Sequence, residues 1–242
     1  MTNDATMVAM LNTLEQGEVA MEGLVPWGSN YTFLVRVRFS DIEAEAIYKP
    51  GKGERPLWDF TRGTLCLRER AAYLTSEALN WGLVPPTILR EGPHGWGSFQ
   101  YFVDHDPQQH YLTIQGKYPL QVQRIAFLDA LINNADRKSG HVLIGEGDRL
   151  WAIDHGVCFH QEYKLRSVIW EYAGELIPKT LIDDAIAFHD WLCYRNTPEY
   201  VELSQLLDSV EMDALLERLE QLIKRGTFPV PGPGRPYPWP LV

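Results

Sequence analysis

Asn133-Asn134-Ala135-Asp136-Arg137-Lys138-Ser139-Gly140-His141, with Ile153-Asp154-His155-Gly156 shortly after it, is the stretch that decides how this chain folds. Val142 to Ile144 reads as a short strand. Gly145-Glu146-Gly147-Asp148 reads as the turn, and Leu150 to Ile153 as the return strand. Such a hairpin brings the two acidic clusters together. A lone Asp in a loop is usually a cap or a turn residue. Two of them, Asp136 and Asp154, bracketing one hairpin read better as a pair with a shared task.

The rest of the chain gives that pair a setting. The 242 residues are 45% hydrophobic, enough for one sizeable domain or two small lobes with a cleft between them. The net charge is -10, and there is no Lys/Arg-rich block, which argues against nucleic-acid binding. Cys66, Cys158 and Cys193 are far apart and lack metal spacing, so they are expected to be reduced thiols of a cytoplasmic protein. No basic-apolar leader opens the sequence. No apolar run approaches the roughly 20 residues that span a bilayer, so an integral membrane segment is not expected.

The pattern along the chain is strand-rich first and helix-rich later. A helix is expected at Thr6–Gln16, then strands at Val19–Val25, Thr32–Phe39 and Glu43–Tyr48. A helix at Leu65–Trp81 precedes strands at Val84–Leu89 and Ser98–Val103. Val122, Ile125, Leu128 and Ile132 recur at helical spacing and lead into the Asn133 loop. Further helices are expected at Leu181–Arg195, Tyr200–Leu207 and Met212–Lys224, with Gly226 as a stop. The proline-rich tail from Phe228 should be extended. The expected fold class is α+β: a small antiparallel-sheet lobe with one main helix (1–103), a helical lobe (104–227) and the tail (228–242).

One acid, a polar side chain five residues on, and an Asp-x-Gly after a hairpin is an arrangement that places a base and metal ligands for phosphoryl transfer. That chemistry needs positioning and charge neutralisation. It calls for a cover over the phosphates, a cation, metal ligands and a group that orients the nucleophile. Gly28-Ser29-Asn30, at a hairpin tip, could bring backbone N–H groups to phosphate oxygens. Lys49, ending an apolar strand, would be the cation, held by Glu69 from the following helix. Asp136 would orient the attacking hydroxyl. Arg137 would steady that loop or meet the transferred phosphate. Asp154 would be the main metal ligand. His141 could bind Mn2+, contact a phosphate, or replace a second metal with a hydrogen bond. Alternatively, His141, Asp154, His155 and His160 could form a transition-metal site of a hydrolase, although no helical His-x-x-x-His spacing supports it. Lys164 to Glu171 holds two cations and a Trp; it could bind an acidic acceptor, or could be a packed loop with Val168, Ile169 and Trp170 as anchors.

At this point the chain resembles the phosphatidylinositol 3-/4-kinase-like branch of the protein-kinase-like superfamily, particularly the type II phosphatidylinositol 4-kinases and small bacterial relatives. The resemblance is carried in order by Gly28-Ser29-Asn30, Ala46-Ile47-Tyr48-Lys49-Pro50, Glu69-Arg70-Ala71-Ala72-Tyr73, Val84-Pro85-Pro86-Thr87, Gly97 to Val103, Asn134-Ala135-Asp136-Arg137 and Ile153-Asp154-His155-Gly156. It implies a two-lobed kinase-like fold with ATP and Mg2+ or Mn2+ in the cleft. It implies Lys49 on the phosphates and Gln100, Tyr101, Phe102 and Val103 near the adenine. It implies Asp136 as the catalytic acid/base and Asp154 as a metal ligand. His141 stands where the family's loop has Asn, and the family's cysteine-rich palmitoylation segment has no counterpart. The lipid substrate therefore does not carry over, and the hydroxyl acceptor is open among protein, lipid head group and metabolite. A nucleotide-binding pseudokinase and a nucleotidyltransferase on the same fold are the competing readings.

Overall fold

Alternation of side chains builds the first half of the molecule. The computed structural model describes residues 3–25 and 31–242. Helix α1 (Asn3–Gln16) leads into β1 (Glu18–Leu24), β2 (Phe33–Phe39) and β3 (Ile42–Pro50). Helix α2 (Leu65–Ala78) separates these from β4 (Thr87–Gly92) and β5 (Gly95–Tyr101). The five strands form one antiparallel sheet in the order β1-β2-β3-β5-β4. Along β3 the period of two buries Ala44, Ala46 and Tyr48, the last two in a core with Val35, Val37, Phe99 and Leu14 of α1. Ile47 and Lys49 fall on the opposite face, towards the cleft. The partner strand keeps the same sorting: Ile47 stands opposite Gln100 and Lys49 opposite Ser98. Gly97 lies where the two strands approach most closely. A Cβ there would stand 2.4 Å from the Lys49 carbonyl oxygen.

The second half is helical. Its elements are α3 (Pro119–Leu131), the hairpin β6 (Val142–Ile144) and β7 (Leu150–Ala152), then α4 (Lys179–Tyr194), α5 (Pro198–Leu206) and α6 (Ser209–Arg225). Ile125, Phe127, Leu128, Leu131 and Ile132 are fully buried, and each such side chain contributes roughly 1.5–3 kcal/mol on burial. Asp208 and Glu211 close a reciprocal capping box at the start of α6. Gly226, at φ 62°, ends that helix as its sequence expects. The α+β architecture read from the sequence is the one observed.

Packing ties the two halves together. Segment 1–103 contains α2, yet Ala71, Ala72, Tyr73 and Leu74 belong to the large helical core and not to the core of the sheet. A third small cluster, Val103 with Leu143 and Trp151, joins the end of the sheet to the hairpin. The tail has no helix or strand, bends at 233–234 and 239–240, and lies against the helical lobe. Pro236 O accepts from Ser167 N–H (3.0 Å) and from Trp170 Nε1–H (3.1 Å), and Leu241 O accepts from Ser139 N–H (2.8 Å).

Candidate active site

A cavity of about 300 Å³ lies between the cleft face of β3, the start of α2 and the hairpin ends. Lys49, Glu69, Gln100, Asp136, His141 and Asp154 all line it. Residues that are far apart in the sequence thus converge on one space. Lys49 Nζ donates to Glu69 Oε1 (2.5 Å) and to Asp154 Oδ1 (2.8 Å). Glu69 Oε2 also accepts the His155 backbone N–H at 2.9 Å, so one helical carboxylate fixes both the lysine and the Asp154 segment. Asp154 itself has φ 61°, a left-handed backbone that Asp tolerates better than most residues. Its side chain remains 46% exposed, open to the cavity.

The charges follow from this geometry. Burial alone would lower the pKa of Lys49. Asp154 and Glu69 outweigh it and hold the lysine well above its usual value. Burial likewise opposes ionisation of Asp154, but Lys49 and then His141 drive its carboxyl far below the usual range. Glu69 is more deeply buried, and that burial raises its pKa despite Lys49. Asp136 is raised by burial as well, with Lys138 Nζ 3.2 Å away acting in the opposite direction. His141 Nε2 lies 3.2 Å from Asp154 Oδ2, while its Nδ1 faces the Lys138 backbone N–H at 3.5 Å. Burial lowers the His141 pKa to about 4, so its imidazole is neutral at pH 7.

Arg137 takes the first of its two expected roles, steadying the loop. Its side chain is wholly buried and never reaches the cavity. It pairs with Asp129 of α3 through Nε (2.9 and 3.1 Å) and Nη2 (2.9 Å). Nη1 donates to the carbonyls of His141 (3.1 Å) and Ile153 (2.7 Å), and Nη2 meets His155 Nε2 at 2.7 Å. Its work is to hold the loop and the two hairpin ends together; contact with a transferred phosphate is ruled out by burial. The hydrolase-type metal cluster also fails. His155 points to Arg137, and His160 Nδ1 accepts from Glu162 N–H. Among the described residues no group of three His, Cys, Asp or Glu side chains is arranged to hold a metal.

Other expected residues are placed as follows. Gln100 lines the cavity and donates to Thr87 Oγ1 (2.9 Å). Tyr101, Phe102 and Val103 continue that strand to the lobe junction: Phe102 N–H bonds Glu45 O (3.0 Å), and Val103 is packed with Leu143 and Trp151. Gly28-Ser29-Asn30 lie outside the described residues. Lys164 pairs with Asp59 at 2.9 Å, and Val168 and Ile169 are buried anchors.

Several organising residues had not been singled out. Asn134 Nδ2 donates to Asp129, and its Oδ1 receives the Asp136 N–H; together these shape the Asn133–His141 loop. Glu54 caps α2 by accepting the Cys66 N–H (3.0 Å). Asp129 could have been found as the one acid within the apolar run Ile125 to Ile132.

Comparison with known proteins agrees with this arrangement. Residues 87–210 match the family model "Phosphatidylinositol 3- and 4-kinase". Protein Rv2133c of Mycobacterium tuberculosis is 36% identical, over 94% of this chain and 93% of its own length. Phosphatidylinositol 4-kinase gamma 4 of rice (Oryza sativa subsp. japonica) is 32% identical over 46% of this chain, a match that spans 23% of the plant protein. Among solved structures, the Golgi casein kinase with Mn/ADP bound superposes at a TM-score of 0.58 with 15% identity, covering 93% of this chain and 76% of that one. At that identity the likeness is one of fold, and the fold is kinase-like. The family model covers half of the sequence, a span that includes the loop and hairpin at the cavity, and the mycobacterial relative covers nearly all of it: the chain belongs to the phosphatidylinositol 3- and 4-kinase family.

Proposed function

We propose that this protein is an ATP-dependent phosphotransferase acting on a hydroxyl acceptor. The observation that carries the reading is the Lys49–Glu69–Asp154 array facing Asp136 across one cavity. Lys49 binds phosphate oxygens. Asp136 accepts a hydrogen bond from the acceptor hydroxyl and takes its proton as the oxygen attacks the γ-phosphorus. The bond to the β–γ bridging oxygen breaks, and ADP leaves with its electron pair. Gln100 and Ile153 line the part of the cavity assigned to the base. Asp154, ionised and open to the cavity, and His141, neutral with Nε2 facing the same carboxylate, fit a divalent cation as two protein donors. When bound, Mg2+ or Mn2+ neutralises phosphate charge, and an imidazole ligand favours Mn2+. The family's membership argues for a phosphoryl acceptor with a hydroxyl, and protein, lipid head group and metabolite are the classes to screen.

The test is ATP consumption with Mg2+ and with Mn2+ over an acceptor panel, for wild type, Asp136→Ala and Asp154→Ala. Each variant should lose at least 100-fold in rate. Undiminished turnover in both would sink the mechanism. A second reading, nucleotide binding without transfer, rests on the His141–Asp154 contact, which can occupy the carboxylate in place of a metal. It predicts a thermal shift with ATP but no turnover in any arm of the same screen.

A further inference from the structure

Three consecutive residues of α2, Arg68, Glu69 and Arg70, each reach a different part of the molecule. At 3.6 residues per turn they fan over about 200° of the helix. Glu69 faces the cleft and holds Lys49 and the His155 N–H. Arg68 turns to the helical lobe. Its Nη2 lies 2.6 Å from Glu211 Oε1 in the first turn of α6, and its Nη1 donates to Cys158 O at 2.8 Å. The guanidinium also lies 4.8 Å from the Phe60 ring centre. Arg70 makes two bonds to Glu202 of α5 (2.7 and 2.9 Å) and one to Thr87 O of β4 (2.5 Å). Behind them, Ala71, Ala72, Tyr73 and Leu74 are packed into the helical core.

The Arg68–Glu211 pair is the informative one. Both side chains are about 6% exposed. Desolvation makes a buried ion pair a poor source of stability, so its presence calls for a geometric reason. Here the geometry supplies one: Arg68 and Glu69 together grip the backbone at Cys158 and His155, on either side of Gly156 and Val157.

We propose that Arg68, anchored by Glu211, is a positioning residue that fixes α2 to the helical lobe and so sets Glu69, Lys49 and the Asp154–Cys158 segment in their working arrangement. The helix bearing the lysine's partner is thereby held by contacts within the chain itself. The kinetic part of this inference rests on the phosphotransferase reading; the structural part does not.

The test uses the full chain and Glu211→Gln. Gln keeps the α6 capping box, because it can still accept the Asp208 N–H, but it removes the charge facing Arg68. Glu217→Gln, exposed on the same helix, is the control. Backbone hydrogen exchange over residues 153–159 should rise at least tenfold in Glu211→Gln and stay unchanged in the control, with β2 and β3 unaffected. Unchanged exchange at 153–159, or an equal rise throughout the molecule, overturns the proposal. If Glu211→Gln does not fold, Arg68→Lys takes its place: it keeps the charge for Glu211, loses the bond to Cys158 O, and should show the same local rise. Where turnover is measurable, kcat should fall at least tenfold with the ATP KM within threefold of wild type. The Glu211→Gln/Glu69→Gln double variant should then fall no further than Glu69→Gln alone, and additive losses would count against a shared role. Local loosening without any turnover in wild type would retain the clamp and remove the proposed reaction.

Discussion

Among the described residues, the cation that pairs with Asp136 is Lys138, 3.2 Å away, and burial works against the carboxylate's charge. Burial raises its pKa, Lys138 lowers it, and burial is the stronger effect. The sign of a substitution follows directly. Lys138→Met removes the opposing influence, so the Asp136 pKa rises further and its ionised form appears only at higher pH. If Asp136 is the acceptor's base, the acid limb of the kcat–pH profile moves to higher pH and the alkaline plateau stays where it was. A limb that does not move would mean that another group titrates there. Lys138 is one-fifth exposed, so stability should change by less than about 1 kcal/mol, and a urea unfolding curve checks that the effect is electrostatic.

At the scale of elements, the β3–β5 pair shows how backbone spacing governs the cleft. Gly97 lets β5 approach β3 at the residue that carries the amine. A Cβ there would meet Lys49 O at 2.4 Å and Pro50 Cα at 2.7 Å, both backbone atoms that cannot swing aside. Gly97→Ala should therefore push β3 outward at Lys49, costing about 1–3 kcal/mol in unfolding free energy and weakening the thermal shift produced by ATP. Gly97→Ala with wild-type stability and shift would contradict that geometry. The same elements show what a sequence reveals. The hairpin Val142–Ile144 and Leu150–Ala152 was readable because two short apolar runs flanking a glycine-bearing turn are a local signal. So was the lysine strand, and from the order of motifs so was the kinase-like fold. The fate of Arg137 was not, since its partner Asp129 is on the preceding helix and only burial separates a loop brace from a phosphate contact. Arg68 was passed over for a stronger version of the same reason. Glu211 lies in another lobe and no periodicity connects the two. Which of Gln100 to Val103 faces the cavity was likewise a matter of register, settled by the Ile47–Gln100 pairing.

For the whole molecule, the active-site histidines couple folding to pH. His141 and His155 are both buried, and burial lowers both, His141 to about 4 and His155 well below its ordinary value. Arg137 Nη2 is a donor to His155 Nε2, so that nitrogen must stay unprotonated in the folded state. In the unfolded chain each imidazole titrates near pH 6.5. Below that pH the unfolded state binds protons that the folded state refuses, so stability is full above about pH 6.5 and falls as pH drops towards 4. Asp154 keeps its full contribution through this window, because an unfolded Asp titrates only at about pH 3.9 and Lys49 holds the folded carboxyl ionised to still lower pH. Glu69, raised by burial, acts in the opposite sense by taking a proton more readily folded than unfolded, and so softens the acid end of the decline. The midpoint of thermal unfolding should therefore drop steadily between pH 6.5 and 4.5. His155→Gln keeps an acceptor for Arg137, and His141→Asn keeps a neutral polar group beside Asp154. The double variant should show a markedly shallower decline over the same interval, and each single variant part of it. A wild-type midpoint independent of pH in that window, or a double variant as steep as wild type, would show that neither imidazole is held neutral by the fold.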